Sequence, residues 1–482
     1  MKLSELTAPD SFDGPDAEIT GLTLDSRAVQ PGFLFAALPG LHVHGRDFIP
    51  QAIKAGAAAI LTEPGVDTGT VPAIADPDPA ARFARIAARF YPRQPKTIAA
   101  VTGTNGKSST VDFLRQIWRG AGIDGASLGT LGVARGEGWV ETGYTTPDAA
   151  AVHKALDELA GDGCTHLAME ASSHGLKQKR MDAVRVTLTG FTNLTQDHLD
   201  YHPDFDDYFA SKMKLFLELA ADGSPAIINV DSDWGGQVAE LCARRGLDVI
   251  QVGWRGRDWR IREITPRPAS QLLTLEIAGK TKRIELPLVG EFQVANAVGA
   301  AAMAAQSGVS QDAAIAAMGE LKGVPGRLEL AAHTAVGCPI LVDYAHTPDG
   351  LDKLIRAARP HTRGRIFIVF GCGGDRDPTK RKPMGEIAVK LADIAIVTDD
   401  NPRSEKGEDI RREILKGAVG AEEIGDRARA IRHALAQMKA GDTLLIAGKG
   451  HETGQKIGNV VHPFDDREEA RKAVAEAGGR HD

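Results

Sequence analysis

At 482 residues the chain is too long for one hydrophobic core, so two to four domains are expected. A hydrophobic fraction of 43% and 53 glycines fit an α/β protein. The formal net charge of −7 argues against nucleic acid or an anionic membrane surface as partner, so an anionic substrate must be met by local basic residues.

Four scattered cysteines (Cys164, Cys242, Cys338, Cys372) with no CxxC pair speak against structural zinc and a disulfide framework, and fit a reducing cytoplasm. The first residues, Met1-Lys2-Leu3-Ser4-Glu5, carry no apolar signal core. The most small-apolar stretch, Val294 to Ala305, falls short of a membrane span. The expectation is a cytoplasmic protein with no membrane insertion and no nucleic-acid partner.

Residues 1–94 read as a small α/β domain. Phe33 to Leu38 and Ala57 to Thr62 are expected as buried strands, with a helix over Phe48 to Ala55 between them. Leu24-Asp25-Ser26-Arg27 precedes a Pro-Gly turn, and Leu41-His42-Val43-His44-Gly45-Arg46 forms a polar loop. Taken alone, each is a capped turn. Pro92 and Pro95 then break the chain and set the first boundary.

Residues 95–322 open on Thr97 to Thr102, a short apolar run, followed by Gly103-Thr104-Asn105-Gly106-Lys107-Ser108-Ser109-Thr110 and a helix over Val111 to Gly120. Strand, glycine turn and helix N-terminus make an anion cradle: the glycines let backbone N–H groups converge on phosphate, and the helix dipole favours negative charge. Lys107 suits outer phosphates, and the Ser108 hydroxyl suits magnesium. The loop is shorter than GxxxxGK[ST], because Val101 stands where its first glycine would be.

Further strands are expected at His166 to Ala171, Val186 to Phe191 and Pro225 to Val230, a hairpin at Leu272 to Ile277 and Thr281 to Leu286, and a helix over Val294 to Gln306. Strands alternating with helices imply a mostly parallel sheet, with ligands beyond the carboxyl ends of its strands. Glu170-Ala171-Ser172-Ser173-His174 and Gln196-Asp197-His198-Leu199-Asp200-Tyr201-His202 fall at such ends. His198 and His202 at i, i+4 suggest zinc, but no third soft ligand accompanies them, so magnesium is expected. Lys212 fits poorly beside a metal and alone reads as part of a solvated helix face.

Gly323 to Gly326 is the second linker, and residues 323–482 repeat the alternation. Strands are expected at Ile340 to Tyr344, Arg365 to Phe370, Ile394 to Thr398 and Thr443 to Ala447. Each precedes an unusual loop: Ala345-His346-Thr347-Pro348, Gly371 to Arg376, Asp399 to Arg403, and Gly448-Lys449-Gly450-His451-Glu452. Four such loops at one sheet edge describe a ligand-binding rim.

Gly103 to Ser109, Glu170 to His174, Asp197 to His202, Lys212, Asn296 and Asp343-Tyr344-Ala345-His346 together closely resemble the Mur ligase family, the ATP-dependent amino-acid-adding enzymes of peptidoglycan synthesis. The resemblance covers essentially the whole chain. Ser172-Ser173-His174-Gly175 with Asp400-Asn401-Pro402-Arg403 separates it from the related folylpolyglutamate synthases and resembles the form that adds meso-diaminopimelate.

The resemblance implies three domains: a UDP-sugar-binding N-terminal domain (1–94), a central P-loop-type ATPase domain with a mostly parallel sheet (95–322), and a Rossmann-like amino-acid domain (323–482). It places the UDP end of UDP-N-acetylmuramoyl-L-Ala-D-Glu at Leu24, Ser26, Leu41, His42 and Val43, and its dipeptide at Thr145, Thr146, Ser172, Gln178 and Arg180. Magnesium is implied at Ser108, Glu170, His198 and Lys212, with Lys212 carbamylated, which turns its cation into a hard oxygen donor. ATP is implied at residues 103–109 and at Asn296, Arg327, His333 and Asp343.

Diaminopimelate is implied at Arg376, Asp400, Asn401, Pro402, Arg403, Gly448 and Glu452. The arginines offer planar forks for carboxylates, and Asn401 and Glu452 can take ammonium protons. Asn-Pro is also turn chemistry, and a turn and a site are compatible here.

The implied reaction phosphorylates the D-glutamyl γ-carboxylate and lets the diaminopimelate amine displace phosphate. Bringing three substrates together from three domains implies closure of the C-terminal domain, and a monomer is the expectation. His44 and Gly454 depart from the family pattern, which has an aspartate and an aromatic there. Rival readings are a lysine-adding Mur ligase, a folylpolyglutamate synthase, and a nucleotide-dependent switch that ligates nothing.

Overall fold

The computed structural model describes residues 1–10, 12–40, 43–136, 138–140, 145–195 and 201–478. They form two compact units, Met1–Gln251 with Ala302–Ser310, and Val252–Ala301 with Gln311–Asp482. The division falls inside the segment expected as one central domain.

The first unit holds two sheets. In the smaller, β1 (Gly21–Thr23), β2 (Phe33–Ala36), β3 (Ala59–Thr62) and β4 (Ala73–Ala75) lie parallel in sequence order. Residues of β2 and β3 are buried on both faces, as continuous apolar runs in parallel sheets must be. Leu34 and Leu61 pack with Phe83 and Ile86 of the helix Pro79–Phe90, while Phe35 and Ile60 pack with Ile49 and Ala52 of Ile49–Lys54. The longer helix starts on Pro79, with Asp78 capping the Ala81 N–H.

The larger sheet contains β5 (Thr97–Thr102), β6 (Gly125–Gly129), β7 (Gly132–Arg135), β8 (Gly138–Val140), β9 (His166–Glu170), β10 (Leu188–Phe191) and β11 (Pro225–Asn229). Their order is β11-β10-β5-β9-β6-β7-β8. The first five are parallel, and β7 and β8 add antiparallel strands. Val101 pairs with Glu170 and Thr102 with Phe191, so the ends of β5, β9 and β10 open together at one edge. That register places the phosphate loop beside Glu170.

β12 (Asp248–Gly253) leads to the second unit. Its β13 (Trp259–Pro266), β14 (Gln271–Ile277) and β15 (Lys280–Leu286) form an antiparallel meander. The expected hairpin is its last two strands, turning on Ala278 and Gly279, both with positive φ.

The third sheet contains β16 (Glu329–His333), β17 (Pro339–Asp343), β18 (Ile366–Phe370), β19 (Ile394–Val397), β20 (Glu422–Glu423) and β21 (Thr443–Ala447). The order is β16-β17-β21-β18-β19-β20, parallel except for the edge strand β16. Ile366, Ile368 and Phe370 face one helix layer and Phe367 and Val369 the other, the two-residue period of a strand buried on both faces. A hairpin of β22 (Gly454–Ile457) and β23 (Val460–Pro463) follows β21.

Behind this sheet Arg427 and Asp466, both with fully buried side chains, make two 2.7 Å bonds, and Arg427 also donates to the Ala447 carbonyl at 2.9 Å. Removing one partner leaves an uncompensated charge. Asp466→Ala should therefore lower unfolding free energy by about 3–5 kcal/mol in urea titrations. A loss below about 1 kcal/mol, the size of a surface pair, would contradict that account.

Candidate active site

Beyond β5 the chain turns on Gly103 (φ +146°) and Gly106 (φ +85°), and a Cβ at Gly103 would collide with the Thr192 hydroxyl. The helix Lys107–Gly120 begins directly at Lys107, four residues before the expected Val111, capped by side-chain-less Gly106. Its first turn thus carries Lys107, Ser108 and Ser109, and its leading N–H groups face the loop as an anion would need. Asn193 braces the loop: its carbonyl accepts from the Thr104 N–H at 2.9 Å, and its Oδ1 from the Asn105 N–H at 3.0 Å. Thr104 Oγ1 lies 3.0 Å from the Tyr208 hydroxyl.

Lys107 Nζ folds back onto the Gly103 and Thr104 carbonyls at 3.0 and 2.9 Å. Lys212 Nζ, expected on a solvated face when read alone, is 1% exposed, donates to the same Gly103 oxygen at 2.8 Å, and lies 4.3 Å from the Tyr208 ring centre. Two ammonium groups thus share one carbonyl.

Glu170 ends β9 and is buried. Ser108 Oγ donates to Glu170 Oε1 at 2.9 Å, and the Thr130 N–H donates to the same oxygen at 2.8 Å. Thr130 Oγ1 reaches Oε2 at 3.3 Å. Gly129 precedes it because a Cβ there would run into the Glu170 carboxylate. Thr130 carries no motif, and sequence reasoning missed it. His198 lies outside the described residues.

The hydroxyl and carboxylate oxygens are hard donors that fit magnesium. His202 is held by Ser173 Oγ at 3.1 Å on Nε2 and by Asp207 at 2.6 Å on Nδ1, so both ring nitrogens are engaged within the protein. Asp207 also takes the Lys177 ammonium, and these contacts hold its carboxyl below the usual range.

The residues expected to hold the dipeptide are brought together beside Glu170. Thr145 Oγ1 lies 3.0 Å from Thr130 Oγ1, and Thr146 Oγ1 donates to the Glu170 carbonyl at 3.0 Å. Ser172 caps the helix Ser173–Lys177 and donates to Thr146 Oγ1 at 3.0 Å. Arg180 donates to the Thr146 carbonyl at 2.6 Å and to Gln178 Oε1, and Gln178 donates to the Tyr201 hydroxyl at 3.0 Å.

In the N-terminal sheet's loops, Ser26 Oγ donates to Gln51 Oε1 at 3.1 Å, while Leu24 and Val43 present exposed apolar side chains. Leu41 and His42 lie outside the described residues. His44 Nδ1 accepts from the Arg46 N–H and its Nε2 lies 3.1 Å from Glu63.

In the second unit Asn296 donates to Gln293 Oε1 at 3.1 Å, and Gln293 donates to the Arg327 carbonyl at 3.1 Å. Gln293 was missed because the helix Glu291–Ala305 starts three residues before the expected Val294. Asp343 accepts from the Leu328 and Ala345 N–H groups at 2.8 Å. Burial pushes its acid up, against the pull of Arg327 and these N–H groups. His333 pairs with Pro339 at the opposite end of the β16–β17 ladder, four residues of strand, about 13 Å, from Asp343.

The four loops after β17, β18, β19 and β21 do share one edge, since those strands are parallel. There Asp400 Oδ1 accepts from the Asn401 N–H, and Asn401 Nδ2 donates to Glu452 Oε2 at 2.8 Å. A Cβ on Gly448 (φ +117°) would press on Asp400. Pro402 leads into Arg403, a non-glycine residue at φ +53° whose Nη1 donates to the Gly374 carbonyl at 2.8 Å. Arg376 is exposed on the neighbouring loop. Among the described residues neither Arg376 nor Arg403 has a carboxylate within 4.0 Å.

A phosphate loop with a hydroxyl and a buried carboxylate beside it, and a rim that bonds an amide to a carboxylate near two guanidiniums, are the marks of a nucleotide-dependent ligase built on α/β sheets. The chain belongs to the Mur ligase family. Its model for the Mur ligase family catalytic domain matches residues 18–91, the Mur ligase middle domain residues 101–304, and the Mur ligase glutamate ligase domain residues 326–450.

The UDP-N-acetylmuramoyl-L-alanyl-D-glutamate--2,6-diaminopimelate ligase of Brucella melitensis is 48% identical, with 98% of each chain covered. A solved structure of an enzyme of that name superposes with a TM-score of 0.74 at 31% identity over 100% of both chains. The Mycobacterium tuberculosis folylpolyglutamate synthase complexed with ADP shares the fold, at TM-score 0.62 and 16% identity over 77% of this chain and 92% of that one.

Proposed function

We propose that this chain is an ATP-dependent acid–amino-acid ligase that joins meso-2,6-diaminopimelate to UDP-N-acetylmuramoyl-L-Ala-D-Glu in peptidoglycan synthesis. The observation that carries this reading is the rim: Asn401 and Glu452 bonded together beside two guanidiniums without carboxylate partners among the described residues. Such a site suits an amino acid whose far end bears both an ammonium and a carboxylate. An unpaired guanidinium is costly to bury, so lysine should be rejected. Full-length relatives of the same printed activity support the assignment.

A D-glutamyl γ-carboxylate oxygen attacks the γ-phosphorus of ATP, ADP leaves, and an acyl phosphate forms. The neutral amine of diaminopimelate then adds to the acyl carbon, a proton is lost, and inorganic phosphate departs from the tetrahedral intermediate. Gly103 to Ser109 cradle the phosphates, and Lys107, held on its loop carbonyls, sets its charge against theirs. Thr145, Thr146, Ser172, Gln178 and Arg180 orient the dipeptide, and Leu24, Ser26 and the 41–43 loop hold the uridine end. Asn296, Arg327, His333 and Asp343 take the adenosine and outer phosphates.

Ser108, Glu170, His198 and carbamylated Lys212 would hold magnesium, which neutralises charge on the transferring phosphoryl group. Carbamylation joins CO₂ to the neutral amine of Lys212 with loss of a proton. It also relieves the crowding of two ammonium groups on the Gly103 carbonyl. We place domain boundaries after residues 94 and 322, and the protein in the cytoplasm as a monomer. Among the described residues no helix is long and apolar enough to cross a membrane.

The test supplies UDP-N-acetylmuramoyl-L-Ala-D-Glu, ATP and magnesium with diaminopimelate or lysine. ADP release that needs both co-substrates and prefers diaminopimelate is expected. Equal turnover of the two amino acids removes the specificity assignment, and ADP release without an amino acid favours a nucleotide switch. Lys212→Ala should lose most activity and regain part of it with added short-chain carboxylic acids. Full activity in that variant without them would rule out the carbamate.

A further inference from the structure

Lys449 is 0% exposed, lies between the Gly448 turn and Glu452, and has no place in the roles assigned so far. Its ammonium has three acceptors. It donates to the Gly454 carbonyl at 2.6 Å, to Asn401 Oδ1 at 3.3 Å and to Glu452 Oε2 at 3.3 Å. These belong to three different segments: the start of the β22–β23 hairpin, the loop after β19, and the loop after β21. A buried ammonium satisfied by all three of its donors is a fixed point, because any movement of one segment strands a charged group without water.

We propose that Lys449 is a positioning residue for amino-acid selection: it fixes the orientation of the Asn401 amide and the Glu452 carboxylate, so that the pair reads the far ammonium of a zwitterionic side chain. The inference rests on the functional reading above and extends it to a residue that touches no substrate.

Asn401 Oδ1 accepts from both Lys449 Nζ and the Lys456 N–H, the latter at 2.8 Å. With the oxygen so held, the amide nitrogen must point to Glu452 Oε2, where it donates at 2.8 Å. Oε2 therefore carries two protein donors, which leaves Oε1 as the oxygen available to an incoming ammonium, and the second Asn401 N–H available to a carboxylate. Without Lys449 the Asn401 oxygen keeps only the Lys456 N–H and Glu452 Oε2 loses its charged donor, so the carboxylate is free to swing away from the amide. The hairpin would also lose its bond at Gly454, although Gln455 Nε2 to the Asp400 carbonyl and the Arg403 N–H to the Lys456 carbonyl still fasten it.

Selection through Glu452 separates this role from a structural one. Lys449→Met should raise the KM for diaminopimelate by about thirtyfold, with kcat changed less than about threefold and the KM for ATP unmoved. The preference for diaminopimelate over an analogue lacking the far amino group should collapse toward that of Glu452→Gln, and the double variant should be no worse than Glu452→Gln alone. Lys449→Gln, which keeps a donor, should recover part of the preference, and takes the place of the methionine variant should that one melt early.

A preference unchanged from the parent chain, or KM values for ATP and diaminopimelate rising together, would overturn the inference while leaving the proposed function intact. A parent chain that fails to ligate diaminopimelate at all overturns the functional reading itself, and this inference with it.

Discussion

Lys107→Ala should slow ligation by at least about a thousandfold, the scale expected when a preorganised cation is removed from developing phosphoryl charge. Its Nζ rests on the Gly103 and Thr104 carbonyls, both within the loop that cradles phosphate, so it is held in place before nucleotide arrives. Preorganisation of that kind gives a charge its value in the transition state, because no reorganisation is needed when the bond breaks. ATP affinity should fall by one to two orders of magnitude, read by calorimetry, while binding of the UDP-dipeptide stays within about twofold. Lys107→Arg should not restore the rate: a planar fork cannot occupy the place of a compact ammonium seated between two carbonyls. A loss under tenfold in kcat would mean that the loop's N–H groups carry the phosphate alone.

The loop itself was legible because its chemistry is local. Glycines, lysine and hydroxyl follow one another, and strand–turn–helix is the arrangement that such a run requires. Its register against Glu170 was not local, yet the rule that ligands gather beyond parallel strand ends placed both at the same edge, where Val101 pairs with Glu170. The same rule found the four-loop rim of the last sheet.

What escaped notice falls into three physical kinds. β6, β7 and β8 are short and built largely of glycine, alanine and serine, so they show neither alternation nor a branched-residue run, and Thr130 between them passed unseen. Helix starts were placed late at both Lys107 and Glu291, since the apolar period begins a turn inside each helix. That lateness hid Gln293. The spacing of His333 and Asp343, implied together by the resemblance alone, is set by the antiparallel β16–β17 ladder, which puts them at opposite ends and which local sequence does not show.

The lysines show a fourth limit. Lys212 read alone suggested solvent, and Lys449 sat unremarked inside a quoted loop, yet both are buried. Burial of an ammonium is rare enough that composition argues against it. Partners supplied by the fold offset it: the Gly103 carbonyl for Lys212, and Asn401 together with Glu452 and the Gly454 carbonyl for Lys449.

Arg403→Ala should cut kcat/KM for diaminopimelate by about two to three orders of magnitude, since a charge-assisted fork to a carboxylate is lost from a partly enclosed rim. The backbone gives this experiment a clean interpretation. Arg403 sits at φ +53°, its N–H donates to the Lys456 carbonyl at 3.0 Å, and its carbonyl accepts from the Gly458 N–H at 2.7 Å. Alanine has a Cβ like arginine and pays the same left-handed cost, so melting temperature should barely change and the loss can be assigned to the guanidinium. Arg403→Gly should then match the alanine variant in catalysis while relieving the strain. The KM for ATP should stay within about twofold, because no part of the phosphate cradle depends on this side chain. Arg403→Lys keeps the charge but cannot span the Gly374 carbonyl and a carboxylate with one rigid fork, so it should recover less than about a tenth of the activity. The variant's ratio of diaminopimelate to lysine turnover is the decisive reading. It should fall toward unity, because what is removed is the group for which lysine has no carboxylate to offer.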